Sequence, residues 1–174
     1  MQKARVIITP GLFCARNCSY CCNHFTNILA GAVNIDRLAD IPHRDVLMIT
    51  GGEPMEHLGL TWNIIHYAKT LGFKTVYLYT ARWKDSLLRM IKYLDGIHYT
   101  LHAGSNIQDV VDFGAMQAMA SKYPDKSFRA YLHPDLKHAI NIMPYVWQRV
   151  EVKPWLSEEE CPLPEGETLY RIKV

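Results

Sequence analysis

Short runs of β-branched and aromatic residues alternate along this chain with longer segments in which apolar residues recur at helical spacing. The runs predict six strands, at residues 5–9, 45–50, 74–80, 96–102, 128–133 and 147–153. The segments with a helical period are 60–71, 83–94, 107–119 and 135–142, and the predicted N-caps of the last two are Ser105 and Asp135. The pattern therefore predicts regular alternation of strand and helix.

This alternation determines the predicted fold class. Strands joined through helices must be connected by crossovers, so the strands are expected to be parallel and the class to be α/β. The strands mix polar with apolar residues, which favours a curved sheet with a lined interior. A closed barrel of eight units needs roughly 200 to 250 residues, and this chain has 174. The prediction is a partial (β/α)6 barrel with parallel strands.

The last part of the chain differs from the rest. After residue 155 come an acidic run at 157–160, two prolines at 162 and 164, and a segment at 168–174 that alternates in the manner of an edge strand. We therefore expect one domain, in which residues 1–155 form the partial barrel and residues 156–174 form a C-terminal tail or lid.

Composition and charge narrow the classes of partner. Of the residues, 49% are hydrophobic, which suits one ordinary core, and 19 basic against 17 acidic side chains give a net charge of +2. So small a charge does not indicate a nucleic-acid or membrane partner. The N-terminal apolar run is interrupted by Pro10 and is too short for a signal peptide or a membrane span, so a cytoplasmic protein is expected.

Four of the five cysteines fall between positions 14 and 22. Cys14, Cys18 and Cys21 have the spacing C-x3-C-x2-C in a loop after the first predicted strand. Three thiolates can hold a [4Fe–4S] cluster and leave its fourth iron without a protein ligand, open to a small molecule. The spacing alone also fits zinc, another structural metal or unligated thiols. Cys22 and Cys161 are interpreted as ordinary small apolar residues.

A second motif, Gly51-Gly52-Glu53-Pro54, follows the second predicted strand directly. Two glycines let the main chain approach a ligand closely, and the glutamate adds a charged acceptor beside that backbone. Sites in barrels of this type form at the carboxyl ends of the strands, where this loop is predicted to lie. Taken alone, a glycine pair after a strand is also typical of an ordinary turn.

The two motifs together, with Tyr20 just before the third cysteine, resemble the two leading signatures of the radical SAM superfamily. The resemblance implies an enzyme in which Cys14, Cys18 and Cys21 bind a [4Fe–4S] cluster whose open iron chelates the amine and carboxylate of S-adenosyl-L-methionine (SAM). It also implies that the 51–54 loop lies against the amino group of SAM, with Glu53 or the loop carbonyls as acceptors, and that Tyr20 lies near the adenine.

Five further polar residues fall at or near the ends of later predicted strands, where they could line the ribose pocket or the substrate. They are Thr80, Thr100, His102, His133 and Lys153. The resemblance is weaker here, because no later glycine-rich motif is found, and each residue could equally be an ordinary polar side chain. Lys153-Pro154 is similar in placement to the last adenine-contacting strand of the superfamily.

The resemblance implies reductive cleavage of SAM to a 5′-deoxyadenosyl radical that abstracts hydrogen from a substrate, with an electron donor such as flavodoxin or ferredoxin. Two substrate classes remain open. The run 50–54 and residues 77–80 look like activases of anaerobic ribonucleotide reductase, which act on a partner protein, whereas 7-carboxy-7-deazaguanine synthases act on a small molecule. A non-enzymatic alternative is a structural zinc or iron–sulfur module.

Overall fold

The computed structural model describes residues 1–8, 14–24, 29–136, 140–154 and 163–172. Within them lies one parallel sheet of eight strands, whose order is β2-β8-β1-β3-β4-β5-β6-β7. The strands are β1 (Lys3–Ile7), β2 (Val33–Ile35), β3 (Val46–Thr50), β4 (Thr75–Thr80), β5 (Gly96–Leu101), β6 (Ser127–Leu132), β7 (Arg149–Val152) and β8 (Glu167–Ile172). The α/β class and the parallel arrangement are thus confirmed.

Three α-helices lie wholly within the described residues: α1 (Leu58–Thr70), α2 (Leu87–Met90) and α3 (Ile107–Ala120). Short 3-10 helices occur at Cys22–His24, Leu38–Asp40, Pro54–Glu56, Ile91–Tyr93, Pro134–Leu136 and Pro144–Val146. None of the helices in these parts of the chain has the length and apolar character needed to cross a membrane.

Buried and partly exposed residues alternate along β4 because the two faces of the sheet have different surroundings. In β4, Val76 and Leu78 are completely buried in the apolar core, whereas the intervening Tyr77 and Tyr79 are partly exposed. Helix α1 covers the core side with Ile64, Ile65 and Ala68, which lie on one face of the helix at the expected spacing. One face of the sheet therefore holds the core, and the other is available for polar and aromatic side chains.

The strand prediction was incomplete. Six strands were expected and eight are present, because β2 has only three residues, too few to show a periodicity, and β8 was assigned to a tail. The expected edge position of β8 was wrong. It lies between β1 and β2, and Leu169 and Tyr170 are both buried, as in a strand that is covered on both faces. Alternation along a sequence does not reveal how many neighbours a strand has.

Two helix predictions also need correction. The helix after β4 has one short α-helical segment followed by the 3-10 helix Ile91–Tyr93, not the continuous 83–94. At 135–142, the described part begins with the 3-10 helix Pro134–Leu136, and residues 137–139 lie outside the described residues. The N-cap of α3 is Asn106, whose side chain accepts a hydrogen bond from the backbone N–H of Asp109, whereas the Ser105 hydroxyl donates to the carbonyl of His102.

Candidate functional site

The three cysteines of the C-x3-C-x2-C run line one cavity at the carboxyl end of β1. All three are partly buried and none forms a disulfide, and the cavity they line has a volume of about 550 Å³. Burial raises the pKa of the Cys14 thiol, and the nearby carboxylates of Glu56 and Glu53 raise it further. The loop therefore presents several sulfur donors to one enclosed space.

The thiols do not form a ready site for a single ion. Within the described ranges, no group of three or more His, Cys, Asp or Glu side chains is placed so that it could hold one metal ion. Cys161 and the side chain of Cys22 lie outside what the structure describes. The cysteine loop is thus a set of donors spread along a cavity wall and not a closed coordination sphere.

The glycine loop after β3 is fastened by the carboxylate of Glu53. This side chain is 2% exposed. Its Oε1 accepts from the backbone N–H of Met55 at 2.9 Å and from the Thr80 hydroxyl at 2.6 Å, and its Oε2 accepts from the backbone N–H of Ala81 at 2.8 Å. Burial raises the pKa of Glu53, although each of these three donors lowers it. The carboxylate therefore joins the glycine loop to the end of β4.

Gly51 shows why this position needs glycine. Its φ is 140°, a backbone conformation that side chains with a Cβ rarely adopt. Its carbonyl oxygen accepts a hydrogen bond from Nδ2 of Asn23, which belongs to the cysteine loop, at 3.1 Å. This hydrogen bond connects the two loops directly.

Charged side chains attach the cysteine loop to distant elements. The backbone N–H of Ala15 donates to Oε2 of Glu56 at 3.0 Å, and the guanidinium of Arg16 forms an ion pair with Asp109 at the start of α3. Arg82, just after β4, lies 3.8 Å from both carboxylates. These contacts form a closed ring that begins and ends in the cysteine loop.

The sequence prediction missed this ring. Its members are Arg16, Glu56, Arg82 and Asp109. One signal was present: Asn106 and Asp109 form a capping box, in which the Asp109 carboxylate also accepts from the backbone N–H of Asn106 at 2.9 Å. That signal marks the start of a helix, but it does not reveal that the same carboxylate binds an arginine 93 residues away.

A second cavity, of about 390 Å³, adjoins the cysteines and opens along the carboxyl ends of the strands. It brings together most of the predicted cofactor residues, namely Tyr20, Gly51, Gly52, Glu53, Thr80, Thr100, His102, His133 and Lys153. Pro54 is the exception. It is buried in a 3-10 helix, where its carbonyl accepts from the Thr61 hydroxyl at 2.6 Å, so its role in the structure is to support the loop.

The two cavities meet at an aromatic and imidazole pair. The rings of Tyr20 and His102 are stacked with centroids 6.2 Å apart, and both residues line the 390 Å³ cavity. Burial, followed by the positive charge of Arg16, lowers the pKa of His102 to about 4. His102 is therefore neutral at physiological pH and can donate or accept a hydrogen bond there.

The 390 Å³ cavity also has three lining residues that the sequence did not indicate, Arg5, Tyr79 and Tyr131, together with the predicted Lys153. Arg5 lies over the ring of Tyr79 at 4.9 Å, and Lys153 lies over the ring of Tyr131 at 5.0 Å. All four line the cavity. No short motif contains them, because they come from four different strands or strand ends, so only the folded sheet places them together.

The known proteins with which the chain was compared give no guide to its function. Neither a family model, nor a curated protein, nor a solved structure matches it significantly. What the protein does must follow from the chemistry of its own residues.

Proposed function

We propose that the protein is a radical SAM enzyme, which reductively cleaves SAM at a [4Fe–4S] cluster and uses the resulting 5′-deoxyadenosyl radical to abstract hydrogen from a substrate. One observation carries the proposal. The cysteine run and the glycine loop are separated by about thirty residues in the sequence, yet Cys14, Cys18, Cys21, Gly52 and Glu53 line the same cavity.

The donor chemistry fits such a cluster. The three cysteines form no disulfide and line one cavity, and three thiolates leave one iron of the cluster open to an outside ligand. A structural zinc site uses four converging Cys or His ligands, whereas this run supplies three cysteines at C-x3-C-x2-C spacing. A larger group that reaches thiols along a cavity wall suits this arrangement better than a single ion.

The glycine loop has a defined part in the proposal. Because the Glu53 carboxylate is already bonded to three protein donors, we assign the ammonium group of SAM to backbone carbonyls of the loop instead. The carbonyl of Gly51 accepts one hydrogen bond from Asn23 and retains a second lone pair. Glu53 then acts by holding this backbone in place.

Tyr20 and His102 are assigned to the adenine end of SAM. Their stacked rings both line the 390 Å³ cavity, and His102 also lines the cavity of the cysteines. The neutral imidazole of His102 offers a donor and an acceptor, and the Tyr20 ring offers an apolar face. Thr80 contributes indirectly, because its hydroxyl donates to Glu53.

The partial (β/α)6 barrel remains part of the proposal, with β2 and β8 added at one edge. In a flat sheet β1 and β7 would be five strand spacings apart, about 24 Å. Arg5 on β1 and Lys153 after β7 nevertheless line a single cavity of about 390 Å³. Curvature of the sheet accounts for this convergence, and a partial barrel provides such curvature.

The proposal implies a reducing environment and an electron donor. Free thiols persist in the cytosol, where disulfides are kept reduced, so we assign the protein to the cytoplasm. The one-electron reductant is proposed to be a flavodoxin or a ferredoxin, because cleavage of SAM consumes an electron that the chain itself does not supply.

The test is anaerobic reconstitution of the full-length protein with iron and sulfide, followed by reduction in the presence of SAM. The expected product is 5′-deoxyadenosine, measured by liquid chromatography and mass spectrometry, and the expected load is four irons per chain. Cys18→Ser should lose both, whereas the matched control Cys161→Ser should keep both. A protein with four irons that forms no 5′-deoxyadenosine would contradict the proposal.

A further inference from the structure

The face of the sheet opposite the core has an unusual set of side chains. Because paired residues of neighbouring parallel strands project to the same side, the register places them on one face. Arg5 pairs with Met48 and Met48 with Tyr77; further along, Tyr79 pairs with His98 and His98 with Arg129. This face, here called the open face, is cationic and aromatic where a core would be apolar.

Two cations of the open face reach the 390 Å³ cavity. Arg5 lies against Tyr79 and Lys153 against Tyr131, so each cation is held over an aromatic ring. These four residues line only this cavity and not the one formed by the cysteines. They therefore form a distinct end of the site, which we call the cation end.

Positive charge exceeds negative charge near Lys153. Arg129 pairs with Arg149 in the register of β6 and β7, and Lys153 follows in the same strand direction. Glu151 meets Arg149 at 2.5 Å and Lys153 at 2.9 Å, while Arg129 has no carboxylate partner among the described residues. Two cations thus share one carboxylate, and half-buried Arg129 adds further positive potential behind the cavity wall.

Few acidic side chains near the 390 Å³ cavity are available to offset this positive charge. Among its described residues, Glu53 is the one acidic side chain, and three protein donors already occupy it. Glu167, which is not part of this lining, is engaged by Arg5 at 2.8 Å and by Lys3 at 3.5 Å. Asp135 pairs with His133 at 3.2 Å and is 78% exposed, so water screens it strongly.

From this geometry we infer that the cation end binds a small organic anion, the substrate of the site, through a carboxylate or phosphate group that Arg5 and Lys153 attract into the cavity. The inference rests on the proposed function, since it names the class of molecule from which that site would take hydrogen. The Tyr131 hydroxyl supplies a further donor, and Leu169 supplies apolar contact for the rest of the molecule.

The same geometry distinguishes the two substrate classes that the sequence left open. A cavity of about 390 Å³ lies within the range of small-molecule sites, roughly 300 to 1,000 Å³. In the alternative, the substrate is a main-chain glycine of a partner protein. That glycine has no net charge, so its binding would not require cations at the end of the cavity. The cation end therefore favours a small anionic substrate over a glycyl-radical partner.

The test uses equilibrium dialysis of the full-length reconstituted protein, without SAM, against labelled probes. The probes are inorganic phosphate and malonate, which separate the two possible anions, and choline, a cation. We expect saturable binding of phosphate or malonate at one site per chain, weakened by added sodium chloride, and no binding of choline. Absence of saturable anion binding up to about 10 mM, or stronger binding of choline, overturns the inference.

Variants locate the bound anion. Lys153→Gln should weaken binding of the preferred probe about tenfold, the usual effect of losing one charge-assisted hydrogen bond. The double variant Arg5→Gln/Glu167→Gln removes both partners of an ion pair and so leaves the net charge unchanged. It should weaken binding of the anion about as much as Lys153→Gln does. Lys122→Gln removes one exposed charge beyond α3 and should have no effect. If both cavity variants bind the anion as tightly as the unmodified protein, the site is elsewhere and the inference fails.

The two proposals fail in distinguishable ways. 5′-Deoxyadenosine formation is measured on the same preparations. If it occurs but neither anion binds, the radical SAM function stands and the anionic substrate is wrong. If an anion binds at Lys153 but a fully loaded cluster yields no 5′-deoxyadenosine, the anion site stands and the radical SAM function is wrong.

Discussion

The glycine loop and the cysteine loop lie side by side, but they are held in different ways. The glycine loop depends on its own glutamate: Glu53 is buried and binds neutral donors at its own loop and at the end of β4. In the described part of the cysteine loop, residues 14–24, no buried carboxylate plays this role. It depends on charged side chains from other elements, chiefly Asp109 of α3 and Glu56, which bind Arg16 and the backbone of Ala15.

The difference indicates how the site is assembled. A loop anchored by a buried carboxylate forms whenever the adjoining strands form, because its partners are parts of the same sheet. A loop held through ion pairs with distant elements needs those elements in place first. We therefore expect the glycine loop to be the firmer half of the site, and each of the following predictions tests that difference.

The largest effect is expected for Asp109→Asn. Arg16 and Asp109 are both largely buried, so loss of one charge leaves the other buried without a partner, at a cost of about 3–5 kcal/mol in the free energy of unfolding. Urea denaturation measures this cost, with Asp125→Asn at an exposed position as the control. In hydrogen exchange, protection should fall at residues 14–18 more than at residues 51–56. Equal losses in both loops would contradict the proposed difference.

Glu53→Gln should affect the other loop. One carboxylate oxygen becomes an NH2 group, so at least one of the three donors at Met55, Thr80 and Ala81 loses its acceptor, and we expect about 1–3 kcal/mol of destabilisation. The same denaturation experiment measures it, with Glu165→Gln as the exposed control. Here the loss of exchange protection should centre on residues 51–56. If it centres on the cysteine loop, the two loops do not have separate anchors.

Arg82→Gln should have a much smaller effect. The guanidinium is 28% exposed and lies 3.8 Å from both Glu56 and Asp109, longer than a good hydrogen bond, so water and salt screen these pairs. We expect a loss of at most about 1 kcal/mol, which 0.5 M sodium chloride should abolish. A loss as large as that of Asp109→Asn would show that Arg82, and not Arg16, is the main partner of the aspartate.

The smallest effect concerns the reactivity of Cys14 in the metal-free protein. Burial and the carboxylates of Glu56 and Glu53 raise its pKa, so its thiolate fraction at a given pH is below that of an ordinary cysteine. Glu56→Gln removes one negative charge, lowers the pKa of Cys14 and should increase its alkylation by iodoacetamide at pH 8 about two- to threefold.

Peptide mapping separates Cys14 from Cys18 and Cys21 in this experiment. The curve of the alkylation rate of Cys14 against pH should move to lower pH in Glu56→Gln, because the thiolate then forms at lower pH. A profile that stays in place, or moves to higher pH, would mean that Glu56 does not act on the thiol through its charge.

The sequence predicted the α/β class and the parallel strands, and it predicted that residues of the two motifs and of later strand ends meet at one edge of the sheet. Runs such as 74–80 and 96–102 correspond to β4 and β5, because buried parallel strands leave a clear apolar and β-branched pattern. Of the residues predicted to bind the cofactor, all but Pro54 line the 390 Å³ cavity. They could be predicted because residues at the carboxyl ends of parallel strands meet at one edge of the sheet.

The sequence did not predict the position of β8 or the partners of the cysteine loop. A strand pairs through its backbone, which is the same in every residue, so the alternation at 168–174 cannot tell an edge from an interior position. Arg16 and Asp109 are separated by 93 residues and look like ordinary surface charges until the chain folds.

By itself, then, the sequence determined an α/β chain with parallel strands, with a three-cysteine loop and a glycine loop after neighbouring strands. Only the tertiary structure decided which charges hold the cysteine loop and that Arg5, Tyr79, Tyr131 and Lys153 share one cavity. The physical reason is that periodicity and motifs are local properties of the chain, whereas ion pairs and cavity walls depend on how distant strands are brought together.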